Sequence, residues 1–312
     1  MSVSLTSHRP GLAVALKLAA LFLFTGLSAI IKATADVVPP GEAVFFRSFF
    51  AIPVILVWLA LRGELASGLR SRHPMMHVRR GFLGTAAMGM TFAGLGLLPL
   101  PEVTAIGFAA PIFTVVLAAL LLGETIRVIR ITAVLLGLVG VLIMLWPRLT
   151  GGAGLEDGAT LGALMILAAT LCRALVQIQV RMMVATEPTA AIVFYFSLTA
   201  SALALLSMPF GWVLPDARTF ALLVLAGLVG GVAQILVTSA FRFAPASVLA
   251  PYDYSSMLFA ILLGYVLFGE LPTLVMLAGA VLVIASNALV IWRERQLGLK
   301  RARSRAGDLP KA

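Results

Sequence analysis

The side chains with chemistry to explain are the ionisable ones set inside long apolar runs. Arg47, Arg173 and Asp253 each lie well away from the nearest polar connector. A charge at membrane depth is costly, so it turns toward a protein interior or a water-filled path. Arg47 offers a rigid planar fork for an anionic or carbonyl group. Its alternatives are snorkelling to the outer interface or pairing with Glu42 or Asp36. Asp253 follows Pro251, whose ring leaves a backbone carbonyl without its helical partner, and Tyr252 and Tyr254 flank it. A carboxylate there can bind a cationic group, carry a proton as a coupling residue, or pair with a fixed cation such as Arg173 or Lys32. Arg173 shares a helix face with Gln177 at i+4 and serves either a solute or helix–helix bonding. Lys17 and Lys32 lie nearer helix ends, where snorkelling is expected. Tyr195, Gln234 and Asn287 either line a cavity or bond between helices. Phe46, Tyr195, Tyr252 and Tyr254 could stack a flat ring, or simply pack against each other.

Other chemistries lack their residues. Cys172 is the one cysteine, and His8, His73 and His77 fall in polar connectors, so neither a disulfide nor a metal site is expected. No G-x-x-x-x-G-K-[ST] loop is present to cradle a nucleotide phosphate. An enzyme acting on lipid would want a His, Cys or paired-carboxylate cluster at one depth, and Asp253 stands alone. The expectation is therefore no catalysis, no cofactor and no metal.

These residues must be positioned by membrane helices. The chain has 312 residues, of which only 12% are charged, against about 25% in a soluble globular domain. Mean hydropathy is +1.07 and the sequence pI 10.8. At about 20 apolar residues per crossing, spans are expected near 12–34, 41–61, 80–98, 102–122, 130–147, 159–180, 189–208, 218–240, 246–268 and 271–292. With a cytoplasmic N-terminus, Arg62, Arg70, Arg72, Arg79, Arg80, Arg127, Arg130 and the basic tail share one face. The other face holds only Arg148 and Arg218. By the positive-inside rule both termini are then cytoplasmic. The net charge of +10 serves this orientation rather than nucleic acid, because no basic segment is interleaved with stacking aromatics. Ala33-Thr34-Ala35 resembles a signal-peptidase site, but the apolar run before it is too long and contains Lys17, so the first helix is expected to be retained. Pro53 and Pro111 are candidate kinks.

The two halves resemble each other. Pro101-Glu102-Val103 to Leu122-Gly123-Glu124 parallels Pro245-Ala246-Ser247 to Phe268-Gly269-Glu270, Pro40 parallels Pro188, and Phe45-Phe46-Arg47-Ser48 parallels Val193-Phe194-Tyr195-Phe196. Five spans per copy is odd, so the second copy enters from the opposite face. The expected fold is all-α and membrane-embedded, with ten transmembrane helices in two inverted five-helix repeats: 1–147, an external linker 148–158, 159–292, and a basic cytoplasmic tail 293–312. Inverted repeats place a solute site between the copies near mid-membrane. Gly123-Glu124 and Gly269-Glu270 read as helix ends, Gly closing one helix left-handed and Glu opening the next at its positive dipole end.

Pro40-Gly41-Glu42 with Phe46-Arg47, the Leu122-Gly123-Glu124 ending, and Ala250-Pro251-Tyr252-Asp253-Tyr254 followed by Gly264 and Phe268-Gly269-Glu270 resemble the EamA-type transporters of the drug/metabolite transporter superfamily. The resemblance covers roughly 12 to 292 and implies transport of a small metabolite without ATP, in the cell inner membrane. The Pro-Tyr-Asp-Tyr stretch looks most like riboflavin or S-adenosylmethionine carriers. The expected substrate is a flavin such as riboflavin, with S-adenosylmethionine, amino acids or other metabolites as alternatives. The substrate-facing candidates are Arg47, Phe46, Arg173, Tyr195, Tyr252, Asp253 and Tyr254. Expected partners are a small-molecule solute and the bilayer, with a homodimer as a candidate assembly. A non-transporting scaffold would not need Arg47, Arg173 and Asp253 at depth.

Overall fold

The computed structural model describes residues 9–122, 128–150, 158–183, 186–244 and 249–307. Among them the regular structure is helical, with no strand. Gly123-Glu124, Arg127, most of the 148–158 linker and Pro245-Ala246-Ser247 lie outside the described residues.

The first half contains α1 (Pro10–Thr34), α2 (Pro40–Phe49), α3 (Ala51–Leu61), the single turn α4 (Leu65–Gly68), α5 (Pro74–Leu97), α6 (Leu100–Gly107), α7 (Ala110–Leu122) and α8 (Val128–Thr150). The second contains α9 (Gly158–Met183), α10 (Thr189–Leu205), α11 (Ala217–Phe243), a 3-10 segment Ala250–Tyr254, α12 (Ser255–Phe268) and α13 (Leu274–Gly307). Gly11–Thr34, Pro40–Leu61, Gly158–Val180 and Ala217–Ala240 are long and apolar enough to cross a membrane, and shorter apolar helices accompany them.

Proline chemistry sets several boundaries. Pro10, Pro40 and Pro74 open α1, α2 and α5, where the missing N–H costs nothing and the fixed φ suits a helix. Inside a helix the same ring deprives the carbonyl four residues earlier of its donor. Pro53 does this to Phe49, and the chain breaks there between α2 and α3. Pro111 does it to Gly107, where α6 ends before α7 begins. At both candidate kinks the helical bonding is interrupted, while Phe50 and Phe108 keep right-handed helical dihedrals. Around Pro251 the backbone tightens to 3-10 geometry from Ala250 to Tyr254, so the continuous ninth helix expected over 246–268 is corrected to a 3-10 turn followed by α12. The helix that carries the third expected span starts earlier than that span, at Pro74, which draws His77, Arg79 and Arg80 from the expected connector into α5.

Small residues let the helices approach closely, as membrane helices must when water supplies no hydrophobic drive between them. On α13, a methyl added at Gly279 would stand 2.6 Å from the Gly140 carbonyl oxygen of α8. On α5, one at Gly94 would overlap Ile166 of α9. The core so formed includes Ile31, Leu95, Leu98, Leu100, Ile166 and Leu223. The outward surface is apolar too. Leu258, Leu262, Tyr265 and Val266 on α12 and Leu135, Leu142 and Trp146 on α8 are exposed, which suits lipid as the solvent.

Candidate functional site

The site starts with Arg47, near the end of α2. Its side chain is 8% exposed, and its guanidinium carbon lies 5.8 Å from the centre of the Phe196 ring on α10. Arg80 of α5 lies over the same ring at 4.0 Å and is 9% exposed. Neither arginine has a carboxylate within ion-pair distance among the described residues. Gly84, one turn after Arg80, makes room for the ring, because a methyl there would stand 2.7 Å from Phe196 Cε2. Snorkelling to the interface is thus not what Arg47 does, and it pairs with neither Glu42 nor Asp36. Glu42, 1% exposed, instead accepts the Val213 N–H at 3.1 Å. The sequence reading missed Arg80 by placing it in a connector. Its signal was the helix start at Pro74, which puts His77 and Arg80 at i and i+3 on one face.

Arg173, on α9, donates from Nη2 to the Thr91 hydroxyl of α5 at 3.3 Å. Gln177, its i+4 neighbour, accepts from the Thr114 hydroxyl at 3.3 Å. Both bonds run between helices, as the helix-bonding alternative supposed.

Asp253 meets neither Arg173 nor Lys32. Its carboxylate lies 2.6 Å from Lys17 Nζ of α1, with side chains 47% and 7% exposed respectively. The expectation that Lys17 snorkels is corrected. The 3-10 segment at Ala250–Tyr254 presents Asp253 to α1 about two turns from its start, where a buried ammonium needs an anion. Tyr252 is half-buried. Tyr254 packs edge-on to Phe108 at 5.3 Å, and the Phe108 carbonyl accepts from Asn287 Nδ2 at 3.0 Å.

Lys32 does not snorkel either. Its Nζ lies 3.0 Å from Glu270 Oε1 and donates to the carbonyls of Leu98 at 2.7 Å and Leu95 at 3.3 Å. Glu270 Oε2 accepts the Leu100 N–H at 2.8 Å. Gly269 does close α12 left-handed, at φ +67. Glu270, however, does not open the following helix, which starts at Leu274. It sits instead at the positive end of α6, where a free N–H welcomes an anion.

His77 is buried in α5 rather than held in a connector, with Nε2 3.3 Å from Glu187 Oε2. The Arg72 and His73 N–H groups donate to Glu187 Oε1 at 2.9 and 2.7 Å. Burial alone would raise the Glu187 carboxyl, but these hydrogen bonds and His77 outweigh it and hold it below its ordinary range. Tyr195 stacks obliquely on His77 at 4.9 Å and donates to the Leu69 carbonyl at 3.1 Å. Phe46 packs against Phe50 at 5.8 Å and Phe220 at 5.4 Å.

A cleft of about 320 Å³ opens beside these elements, walled by Ile31, Asp36, Pro40, Ala43, Phe92 and Met165. Ala43 is one turn before Arg47 on the same face of α2. The structure thus gathers Arg47 and Tyr195 with Arg80, His77 and Phe196, and sets Asp253 with Lys17 apart from them.

Known proteins of similar sequence give this arrangement a context. The S-adenosylmethionine uptake transporter of Rickettsia prowazekii (strain Madrid E) is 30% identical over 258 residues, covering 82% of this chain and 84% of its own. The pseudopaline exporter CntI of Pseudomonas aeruginosa (strain UCBPP-PA14) is 29% identical over 274 residues, 88% of this chain and 93% of its own. The riboflavin transporter of Rhizobium johnstonii is 28% identical over 265 residues, 85% of each. One solved crystal structure superposes with a TM-score of 0.63 at 22% identity, over 91% of this chain and 98% of that one, which shows a shared fold. The model of the EamA-like transporter family matches residues 11–146 and again 160–292, and the chain belongs to that family.

Proposed function

We propose that the chain is a secondary transporter of a small metabolite, working by alternating access between two inverted five-helix repeats. The repeats are 1–147 and 159–292, joined by an external linker 148–158 and followed by a cytoplasmic tail 293–312. On this reading ten spans cross the membrane, with the breaks at Pro53 and Pro111 falling inside the second and fourth. The observation that carries it is the double match, because one family model fits 11–146 and then 160–292. The polar ties agree with it. Lys17–Asp253, Lys32–Glu270, His77–Glu187, Glu42–Val213 and Arg173–Thr91 each join a residue of the first half to one of the second. Such ties are what a rocking motion would make and break.

Arg47, Phe46, Arg173, Tyr195, Tyr252, Asp253 and Tyr254 are the candidate solute-facing residues, with Asp253 as the coupling candidate through its pair with Lys17. The substrates to compare first are riboflavin and S-adenosylmethionine, because relatives bear both names. The test is counterflow in liposomes containing only this protein. Exchange of labelled solute above empty liposomes supports transport, and no exchange of either solute or of an amino-acid mixture refutes it. Orientation is tested separately. Reporter fusions after Arg80 and Arg295 should read cytoplasmic and one within 151–157 external. A cytoplasmic signal from that linker removes the inverted repeat.

A further inference from the structure

We propose that Arg47 and Arg80, gathered on the ring of Phe196, form a binding site for a carboxylate group of the transported solute. The role in transport rests on the reading above, whereas the anion site rests on the geometry. Every well-buried carboxylate described above is already engaged. Glu42 accepts Val213 N–H, Glu187 faces His77 and two backbone N–H groups, and Glu270 holds Lys32 and Leu100 N–H. Asp253, half-exposed, holds Lys17. Arg47 and Arg80 are left sharing one aromatic ring with no anion among the described residues. Arg80 Nε and Nη1 are buried without a hydrogen-bond partner, and the hydroxyls of Ser48 and Ser197, the next residues after Arg47 and Phe196, are buried and unpartnered as well.

Two like charges facing one ring repel each other, and a buried cation without an anion is costly. A purely structural role would leave both costs standing. An anion between the guanidiniums removes both, and the planar forks match a carboxylate in geometry. Phe196 offers the Arg80 guanidinium a cation–π contact at 4.0 Å, and Gly84 leaves room for the ring beside α5. The cleft whose wall includes Ala43 lies one turn from Arg47 along α2, and neither arginine lines it. A buried guanidinium with unpartnered donors calls for an explanation, and a ligand absent from the structure is one. The inferred solute class is a small carboxylate-bearing metabolite. S-adenosylmethionine has that group and riboflavin lacks it.

The experiment uses the full chain, purified in detergent for thermal unfolding and reconstituted for counterflow. The probes are S-adenosylmethionine against its decarboxylated form, L-methionine against L-methioninamide, benzoate against benzamide, riboflavin, and inorganic phosphate. At least one carboxylate should protect the wild-type protein, or compete in counterflow, at a concentration at least tenfold lower than its carboxyl-free counterpart. The difference should shrink below threefold in Arg80→Gln and in Arg47→Gln. Arg80→Lys, which keeps charge but loses the fork, should fall between. Should the arginine variants fail to fold, the paired probes on wild-type protein decide alone. No discrimination within any pair overturns the carboxylate site, as does phosphate acting as well as the best carboxylate, or discrimination that survives in folded Arg47→Gln and Arg80→Gln. Riboflavin exchange unchanged in both variants, with no carboxylate effect, would sink the anion site and leave transport standing. Arginine-dependent protection by a carboxylate with no flux of any probe would do the reverse.

Discussion

The brace around Lys32 gives a prediction whose size follows from the structure. Lys32 and Glu270 have side chains only 13% and 18% exposed, with Nζ and Oε1 3.0 Å apart. Removing the carboxylate strands an ammonium among carbonyls. Breaking a buried pair from one side costs about 3–5 kcal/mol, and the residual exposure and the Leu95 and Leu98 carbonyls trim this to about 2–3 kcal/mol. Glu270→Ala also takes the acceptor from Leu100 N–H, worth about 1 kcal/mol more. Glu270→Gln keeps an oxygen for that N–H, so it should be the milder change. Lys32→Met with Glu270→Gln removes both charges and should recover most of the loss. The assay is thermal unfolding of purified protein for wild type, both single variants and the pair. A loss of 2 kcal/mol should lower the midpoint by about 3 °C in a chain of 312 residues. The coupling between the two sites should reach at least about 1.5 kcal/mol, whereas independent sites add within about 0.5 kcal/mol. Additive behaviour would refute the claim that this pair fastens α1 and α6 to the turn after α12.

Gly279→Ala should destabilise by about 1–3 kcal/mol, because the new methyl meets the Gly140 carbonyl of α8 as well as Met144. Gly26→Ala, where nothing lies within 4 Å, should be neutral or stabilise by up to about 1 kcal/mol, and the same unfolding assay separates the two. The depressed Glu187 carboxyl contributes stability that is fully present above its unfolded value and lost as pH falls through its lower folded value. The unfolding midpoint should therefore fall on the acid side, and Glu187→Gln should flatten that limb; an unchanged limb would show that other groups set it. For Asp253, the 2.6 Å contact with Lys17 predicts that Asp253→Asn impairs transport and that Lys17→Met restores folding if folding is what was lost. Full wild-type accumulation by folded Asp253→Asn would remove it from the transport cycle.

Membrane embedding, the helical class and the family were legible in the residues themselves. A chain 61% hydrophobic and 12% charged cannot hide its apolar surface in water, and the breaks at Phe49 and Gly107 follow from where Pro53 and Pro111 remove donors. The left-handed close at Gly269 was equally local. The charge partners were not legible. Lys17 and Lys32 were read as snorkelling because each lies toward a helix end, yet both point inward to carboxylates more than 200 positions away in sequence. Arg80 and His77 were misread because the start of α5 was placed too late. The physical reason is common to all of these. Helices packed among other apolar helices and lipid carry a weak periodic signal of which face turns inward, so neither rotation nor neighbours can be read along one chain. Only the packing of α2, α5 and α10 put two arginines on the ring of Phe196, and only the assembled bundle determined which charges had already found their counterions.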